Sequence, residues 1–319
     1  MNANAIVLSL QSGVHRVLTT PGFWIIVFFA VTATLIQLRG RVRLKLKRQV
    51  FDQSTFASPY NLLMYAFSAA PTTPYVDVGE FPDLKPLADN WKLLRDEGLK
   101  LFDEGHIKAA EKHNDAGFRT FFRTGWKRFY LKWYDDLLPS AKALCPRATE
   151  LVNTIPSLNA AMYALLPPGA RLGAHRDPFA ASLRYHLGLV TPNSPECYIA
   201  VDGDRYHWKD GEAVIFDETF IHWAENKTDQ TRVILFADVE RPLTSRIVAK
   251  VNHWYKNTVI RASQTENMEG DRVGLLNRIF SFAYYLRLPG KALKRKSRLA
   301  YYTVKWLLVG GLLYLLVAY

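Results

Sequence analysis

Residues 22–38, GFWIIVFFAVTATLIQL, run for seventeen positions without a charge. A run of that length and composition belongs inside a core or across a bilayer, and in a bilayer only a helix satisfies its backbone groups internally. A second apolar run, residues 299–319, carries one charge, Lys305, near its start. A lysine there reaches the headgroups, and Tyr301, Tyr302 and Trp306 at the same end read as an interfacial aromatic belt. A secretory signal peptide would carry positive charge ahead of its apolar run. Here only Arg16 precedes the first segment and six basic residues follow it.

The net charge of +12 sits in two short clusters. The first is Arg39, Arg41, Arg43, Lys45, Lys47 and Arg48; the second is Lys291, Lys294, Arg295, Lys296 and Arg298. Without these eleven residues the chain is almost neutral. Each cluster abuts an apolar segment, which points to an anionic membrane rather than to nucleic acid. The positive-inside rule puts both clusters, and everything between them, in the cytoplasm. The two cysteines, Cys145 and Cys197, lie far apart, so a disulfide scaffold and a cysteine-ligated zinc site are both excluded.

The organisation expected is a tail (1–21), a transmembrane segment (22–38), a basic and mainly helical region (39–155), a β-rich core (156–245), a helical and basic region (246–298) and a second transmembrane segment (299–319). Residues 84–114 read as helix, with Trp91, Leu94, Leu101 and Phe102 at three- to four-residue steps. From about residue 156 the pattern changes to short apolar runs: 158–166, 183–190, 197–201, 213–216 and 232–238. The turn clusters PPG, TPNSPE, DGD, KDG and ENKTDQ separate them. That spacing predicts an antiparallel sandwich or jelly roll, within an α+β chain.

Two HxD triplets occur. His113-Asn114-Asp115 ends the helical stretch, where residues two apart diverge, and it reads as surface. His175-Arg176-Asp177 precedes a strand; in extended backbone its imidazole and carboxylate share one face and converge on one ion. His222, in FDETFIHWAEN, is the candidate third ligand. Arg232 lies ten residues further on. In a hairpin centred near Lys227 it would be the cross-strand neighbour of His222, suited to an anionic ligand. In LRYHLGLV, Arg184 and His186 fall on one face. They read either as an inward basic pair for an acidic ligand or as an outward polar face. Two imidazoles and a carboxylate form the facial triad of non-haem iron oxygenases. A zinc hydrolase accepts the same ligands but needs a positioned base, for which Glu225 and Asp217 are the candidates.

The blocks HRDPFAASLRYHLGL, DGEAVIFDETFIHWAEN and TRVILFADVERP resemble the aspartyl/asparaginyl β-hydroxylase family of iron(II)- and 2-oxoglutarate-dependent dioxygenases. The blocks SPYNLLMYAFSA, GFRTFFRTGWKRFYLKWY and PSLNAAMYALLPPGARLGAHRDP are similar to the branch that 2-hydroxylates acyl chains of lipid A in Gram-negative bacteria. The resemblance is dense over residues 50–245. It implies a double-stranded β-helix (jelly-roll) core with iron on His175, Asp177 and His222. It also implies that Arg232 binds the distal carboxylate of 2-oxoglutarate, assisted by His186 and Arg184, with O2 as the other cosubstrate.

The substrate so implied is lipid A at the bacterial inner membrane, with the catalytic domain facing the cytoplasm. An ornithine lipid is the close competitor. A peptidyl Asp/Asn hydroxylase and a non-enzymatic lipid-binding protein are also compatible with the residues. Protein-modifying members carry glycine in place of Asp177, and a serine near the cosubstrate where this chain has Ala164. Asp217 or Glu218 is expected to orient His222. Arg119, Arg123, Lys127, Arg128 and Lys132 are expected either to meet lipid phosphates or to form an ordinary solvated face.

Overall fold

The computed structural model describes residue 15 and residues 18–50, 52–109, 115 and 118–318. Its strands are β1 (Tyr75–Val76), β2 (Lys127–Trp133), β3 (Asp136–Leu137), β4 (Leu158–Leu166), β5 (Arg171–His175), β6 (Ser182–Val190), β7 (Cys197–Val201), β8 (Asp204–His207), β9 (Ala213–Phe216), β10 (His222–Asn226) and β11 (Arg232–Glu240). They form two antiparallel sheets, ordered β1-β9-β6-β11-β4-β2-β3 and β5-β10-β7-β8. From β4 onward the chain passes back and forth between the sheets, except at the β7–β8 hairpin. Two sheets wound together in this way are a double-stranded β-helix. Asp202 and Gly203 close the hairpin with φ of 52° and 99°; two successive positive values are what a two-residue turn between twisted strands requires.

The five predicted strands lie within two residues of the observed ones. The barrel, however, does not begin at residue 156. β2 lies well upstream and pairs with β4 along most of its length, because KRFYLKW is apolar enough to be buried on both faces. The helix predicted over 84–114 is also shorter. It comprises Lys85–Asp89 and Trp91–Asp103, and Gly105, at φ 75°, turns the chain away. Residues 110–114, with His113 and Asn114, lie outside the described residues. Asp115 is not a surface residue: it is buried and pairs with the buried Arg128 at 2.9 Å.

Helices Trp91–Asp103, Pro139–Leu144 and Pro146–Asn153 cover the outer face of the larger sheet. This is why β4 is buried at every position instead of alternating. The first of these helices approaches closely because Gly98 has no side chain. A Cβ there would come within 2.8 Å of a Tyr163 ring carbon, and the Tyr163 hydroxyl donates to the Leu94 carbonyl at 2.9 Å.

Among the described residues, helix Pro21–Arg39 is the one long and apolar enough to cross a membrane. Trp24, Phe28, Val31, Leu35 and Leu38 form an exposed apolar stripe along it, at steps of three and four residues. Its end is held to the barrel: Arg39 bonds Asp217 at 2.7 Å, and the Arg41 and Val42 backbone amides donate to Asp202 at 3.0 and 2.8 Å. Arg41 also pairs with Asp204. Part of the first basic cluster is therefore a hinge onto the fold, not a free cationic patch. The carboxy-terminal segment forms helix Arg298–Ala318, which packs against the first helix.

In an exposed helix, Gly98→Ala would add about 1 kcal/mol of stability. Against Tyr163 it should instead cost about 1–3 kcal/mol, because the ring is fixed on both sides. Thermal unfolding in detergent checks this; an unchanged or raised Tm would contradict the packing described.

Candidate metal centre

His175 ends β5, His222 begins β10, and the antiparallel register sets the two residues directly opposite. Their ring centroids are 4.2 Å apart. Each Nδ1 faces a carbonyl oxygen close in sequence, Gly173 at 2.7 Å for His175 and Phe220 at 3.0 Å for His222. A carbonyl only accepts, so Nδ1 carries the proton and Nε2 is left with its lone pair. Metal-binding histidines are oriented by the same kind of bond. One donor atom from each of His175, Asp177 and His222 lies within 4.8 Å of the others.

Asp177 is held from two sides. Its amide donates to the Glu218 carbonyl at 2.9 Å, and its carboxylate accepts from Arg184 at 2.8 Å. Burial pushes this carboxyl up, but Arg184, His222 and His175 outweigh burial and keep it below the ordinary carboxylate range. Burial, together with His175, takes His222 down to about 3. At neutral pH both groups are therefore in the form that binds a cation.

Arg184 lines the same cavity, and its charge is committed to three acids: it pairs with Asp177, with the Glu218 carboxylate and, at 3.3 Å, with Asp238. Contrary to expectation, neither Asp217 nor Glu218 orients His222. Asp217 bonds Arg39 and Arg241, each at 2.7 Å, while Glu218 also accepts from Ser182 at 2.7 Å.

Arg232 faces the cluster from the other sheet. The predicted hairpin does not form: β10 pairs with β5 and β7, β11 pairs with β4 and β6, and the turn between them crosses from one sheet to the other. Asn226 fixes that crossing by donating to Leu166, Pro167 and Gln230 carbonyls at 3.1, 3.2 and 2.7 Å. His222 and Arg232 thus meet across a cavity instead of along a ladder.

The cavity, about 480 Å³ of empty space including its open mouth, is lined by the three clustered residues together with Arg184, His186, Trp208 and Arg232. Arg232 is 2% exposed and stacks over Trp208 at 4.4 Å. Among the described residues no carboxylate pairs with it and its Nε has no partner. Burial lowers its guanidinium to about 10. Both ring nitrogens of His186 and the Trp208 indole nitrogen are also buried without partners. His186 therefore points inward, as one of the two readings of its strand requires.

The aromatic wall of the cavity escapes the sequence reading. Phe118, Phe121, Trp126 and Phe236 close the cavity, with Phe121 4.7 Å from the His175 ring. In the block GFRTFFRTGW the basic residues draw the eye, but the aromatic spacing is the stronger signal. Arg128, from the same region, ties Asp115 to β2, and Lys132 is buried as well, so neither meets lipid; Arg123 and Lys127 are exposed. Ala164 is sealed within β4, opposite Ile234.

His186 and His222 both have depressed folded-state values, His186 chiefly through burial and then Arg232. The unfolded chain therefore binds protons that the native state does not. Stability of the metal-free protein should fall as pH drops below about 6.5, by up to about 1.4 kcal/mol per pH unit for each histidine. Denaturant titrations at pH 7 and pH 5.5 check this, and His186→Phe should flatten the slope. An unchanged slope would contradict the burial of a neutral His186.

Residues 88–242 match the family described as Aspartyl/Asparaginyl beta-hydroxylase. An ornithine lipid ester-linked acyl 2-hydroxylase from Rhizobium tropici is 42% identical over 174 residues, covering 54% of this chain and 62% of that protein. The human aspartyl/asparaginyl beta-hydroxylase is 28% identical over 195 residues, covering 59% of this chain and 25% of its own. The chain thus spans less than two-thirds of the length of either relative. Among solved structures, a Pseudomonas putida prolyl-4-hydroxylase aligns over 49% of this chain and 88% of its own, at 19% identity and a TM-score of 0.32. Over residues 88–242, the segment that holds the His175–Asp177–His222 cluster and most of the barrel, the chain matches the aspartyl/asparaginyl β-hydroxylase family.

Proposed function

We propose that the protein is an iron(II)- and 2-oxoglutarate-dependent dioxygenase that 2-hydroxylates a fatty acyl chain of a membrane lipid. One observation carries this reading: a buried guanidinium without an acid stands across one cavity from a three-donor cluster. A buried charge without a partner is costly, so the cavity is built to receive an anion. A dicarboxylate satisfies both ends, with one carboxylate on Arg232 and the keto-acid end at the cluster. Two imidazoles and a carboxylate are the donor set of non-haem iron(II) and leave coordination positions open.

A zinc hydrolase would lack its base here. Glu225 lies one residue out of phase with the cavity-lining His222 and Ala224, bonded to Tyr198 at 2.9 Å. Asp217 is enclosed by Arg39 and Arg241.

When bound, iron(II) with dioxygen and 2-oxoglutarate supplies the oxidising power to hydroxylate an unactivated carbon. The protein's own groups do the rest. His175, Asp177 and His222 would hold the ion, and Arg184 keeps Asp177 ionised and aimed. Arg232, stacked on Trp208, would hold the distal carboxylate, with His186 beside it. Phe118, Phe121, Trp126 and Phe236 exclude water.

A lipid substrate accords with the exposed apolar stripe of helix Pro21–Arg39, read as a membrane span with the barrel on the cytoplasmic side and helix Arg298–Ala318 packed against it. Lipid A at a bacterial inner membrane is the substrate we assign. Ornithine lipid is the second reading, favoured by the Rhizobium tropici relative.

Mass spectrometry of total lipid from aerobically grown cells expressing the protein or its His175→Ala variant tests this. A lipid A species that gains one oxygen only with the intact protein is expected, with a loss of at least about 100-fold in the variant. The same gain on ornithine lipid would change the substrate and keep the chemistry. No gain on any lipid would overturn the proposal.

A further inference from the structure

A second cavity lies outside the barrel, and its position bears on how a lipid reaches the metal centre. It is a groove of about 670 Å³ between helix Pro21–Arg39, residues 44–56 and Leu313 of the carboxy-terminal helix. Its composition is graded. The far end is formed by Ile25, Ile26, Phe29 and Ala30; the end nearest the barrel carries Gln37, Gln49 and Thr55. Gln49 is 7% exposed, and its Oε1 has no partner among the described residues. The open acceptor marks this end of the groove wall as polar.

Two side-chain bonds join this end of the groove to the loop that carries the metal ligands. Gln37 accepts from Arg176, which lies between His175 and Asp177 in the chain. Arg48 donates to the Ala174 carbonyl at 2.7 Å, one residue before His175. The exposed cations Arg43, Lys45 and Lys47 stand beside the same end. Along the helix, Ile25 to Leu38 rises about 20 Å, and one leaflet of bilayer hydrocarbon is about 15 Å thick. The groove is therefore as long as one acyl chain, apolar where the chain is buried and polar where its ester and headgroup lie.

We propose that this groove receives one acyl chain of an anionic membrane lipid and sets which carbon is presented to the metal centre. The proposal rests on the hydroxylase reading above and supplies its selectivity. With the distal methylenes held against Ile25, Ile26, Phe29 and Ala30, the carbons beside the ester would lie at the level of Gln37, whose partner Arg176 stands between His175 and Asp177 in the chain. Attack at the 2-position then follows from depth: the ester-proximal carbon is the one that reaches the loop.

The test uses the full chain in cells fed a fatty acid carrying a photoactivatable diazirine, which the cells build into their own lipids. After illumination, adducts on the protein are mapped by peptide mass spectrometry. A diazirine near the methyl end should label Ile25, Phe29 and Ala30 several-fold more than the outward Trp24, Phe28 and Leu35, and one near the carboxyl end should move the label to Gln37 and Gln49. Label spread evenly around the helix, or a position that ignores the probe, would overturn the proposal. In parallel, Ala30→Trp, which fills the groove, should lower hydroxylated lipid at least tenfold, whereas Leu35→Trp on the outward stripe should leave it unchanged. Hydroxylation by Ala30→Trp at the parental level would also overturn it. The two readings fail separately. Groove labelling without hydroxylated lipid from the unaltered protein defeats the enzyme and spares the groove; hydroxylated lipid with evenly spread label does the reverse.

Discussion

The guanidinium of Arg232, buried without an acid among the described residues, is the constraint around which the barrel is arranged. Sealing a positive charge inside a jelly roll without an acid costs several kcal/mol unless a ligand completes it. The barrel bears that cost through its construction. Strand β11 is gripped by β4 on one side and β6 on the other, and the guanidinium carbon stands over the Trp208 ring. The His222–His175 register on the opposite sheet then fixes where the other end of a ligand must lie. Both walls are set by backbone pairing, which resists displacement better than side-chain packing alone.

A second buried network joins this barrel to the amino-terminal helix. Burial raises the Asp217 carboxyl, but Arg241, Arg39 and the Thr219 hydrogen bonds outweigh burial and hold it ionised below the ordinary range. Arg39 ends the apolar helix, Arg241 follows β11, and Asp217 follows β9, so one carboxylate ties the helix to both edges of the site. The neighbouring loop is clamped from the same side. Asn61 donates to the Pro178 carbonyl at 3.0 Å and accepts from the Ala180 amide at 2.9 Å. The segment beside the groove is thus mechanically continuous with the loop that carries Asp177.

Much of this is legible in the sequence because it depends on local chemistry. Apolar runs between turn residues locate strands, since both sides of the rule are short-range: burial of alternating or continuous apolar residues, and the φ freedom of Gly and Asp in DGD. The triplet His175–Asp177 can be read because extended backbone puts residues two apart on one face. What fails depends on sheet assignment. The ten residues from His222 to Arg232 have hairpin spacing, yet the Asn226 side chain turns the chain across to the other sheet, and spacing alone does not distinguish the two paths. The pairing of Arg184 is hidden for a related reason: its partners Glu218 and Asp238 come from distant segments, so the sequence displays a free cation where the fold makes a paired one. The same holds for Asp115 and Arg128, which look like surface residues until β2 joins the sheet.

Calorimetric titration of 2-oxoglutarate into the full chain in detergent, under anaerobic conditions, with and without manganese(II) as a redox-silent stand-in for iron, tests most directly that Arg232 and the three-residue cluster together form one dicarboxylate-and-metal site. Binding should require the metal and weaken by about 30-fold or more in Arg232→Met, the loss expected when one partner of a buried charge pair is removed. Binding of equal strength in the two proteins, or binding indifferent to the metal, would contradict it.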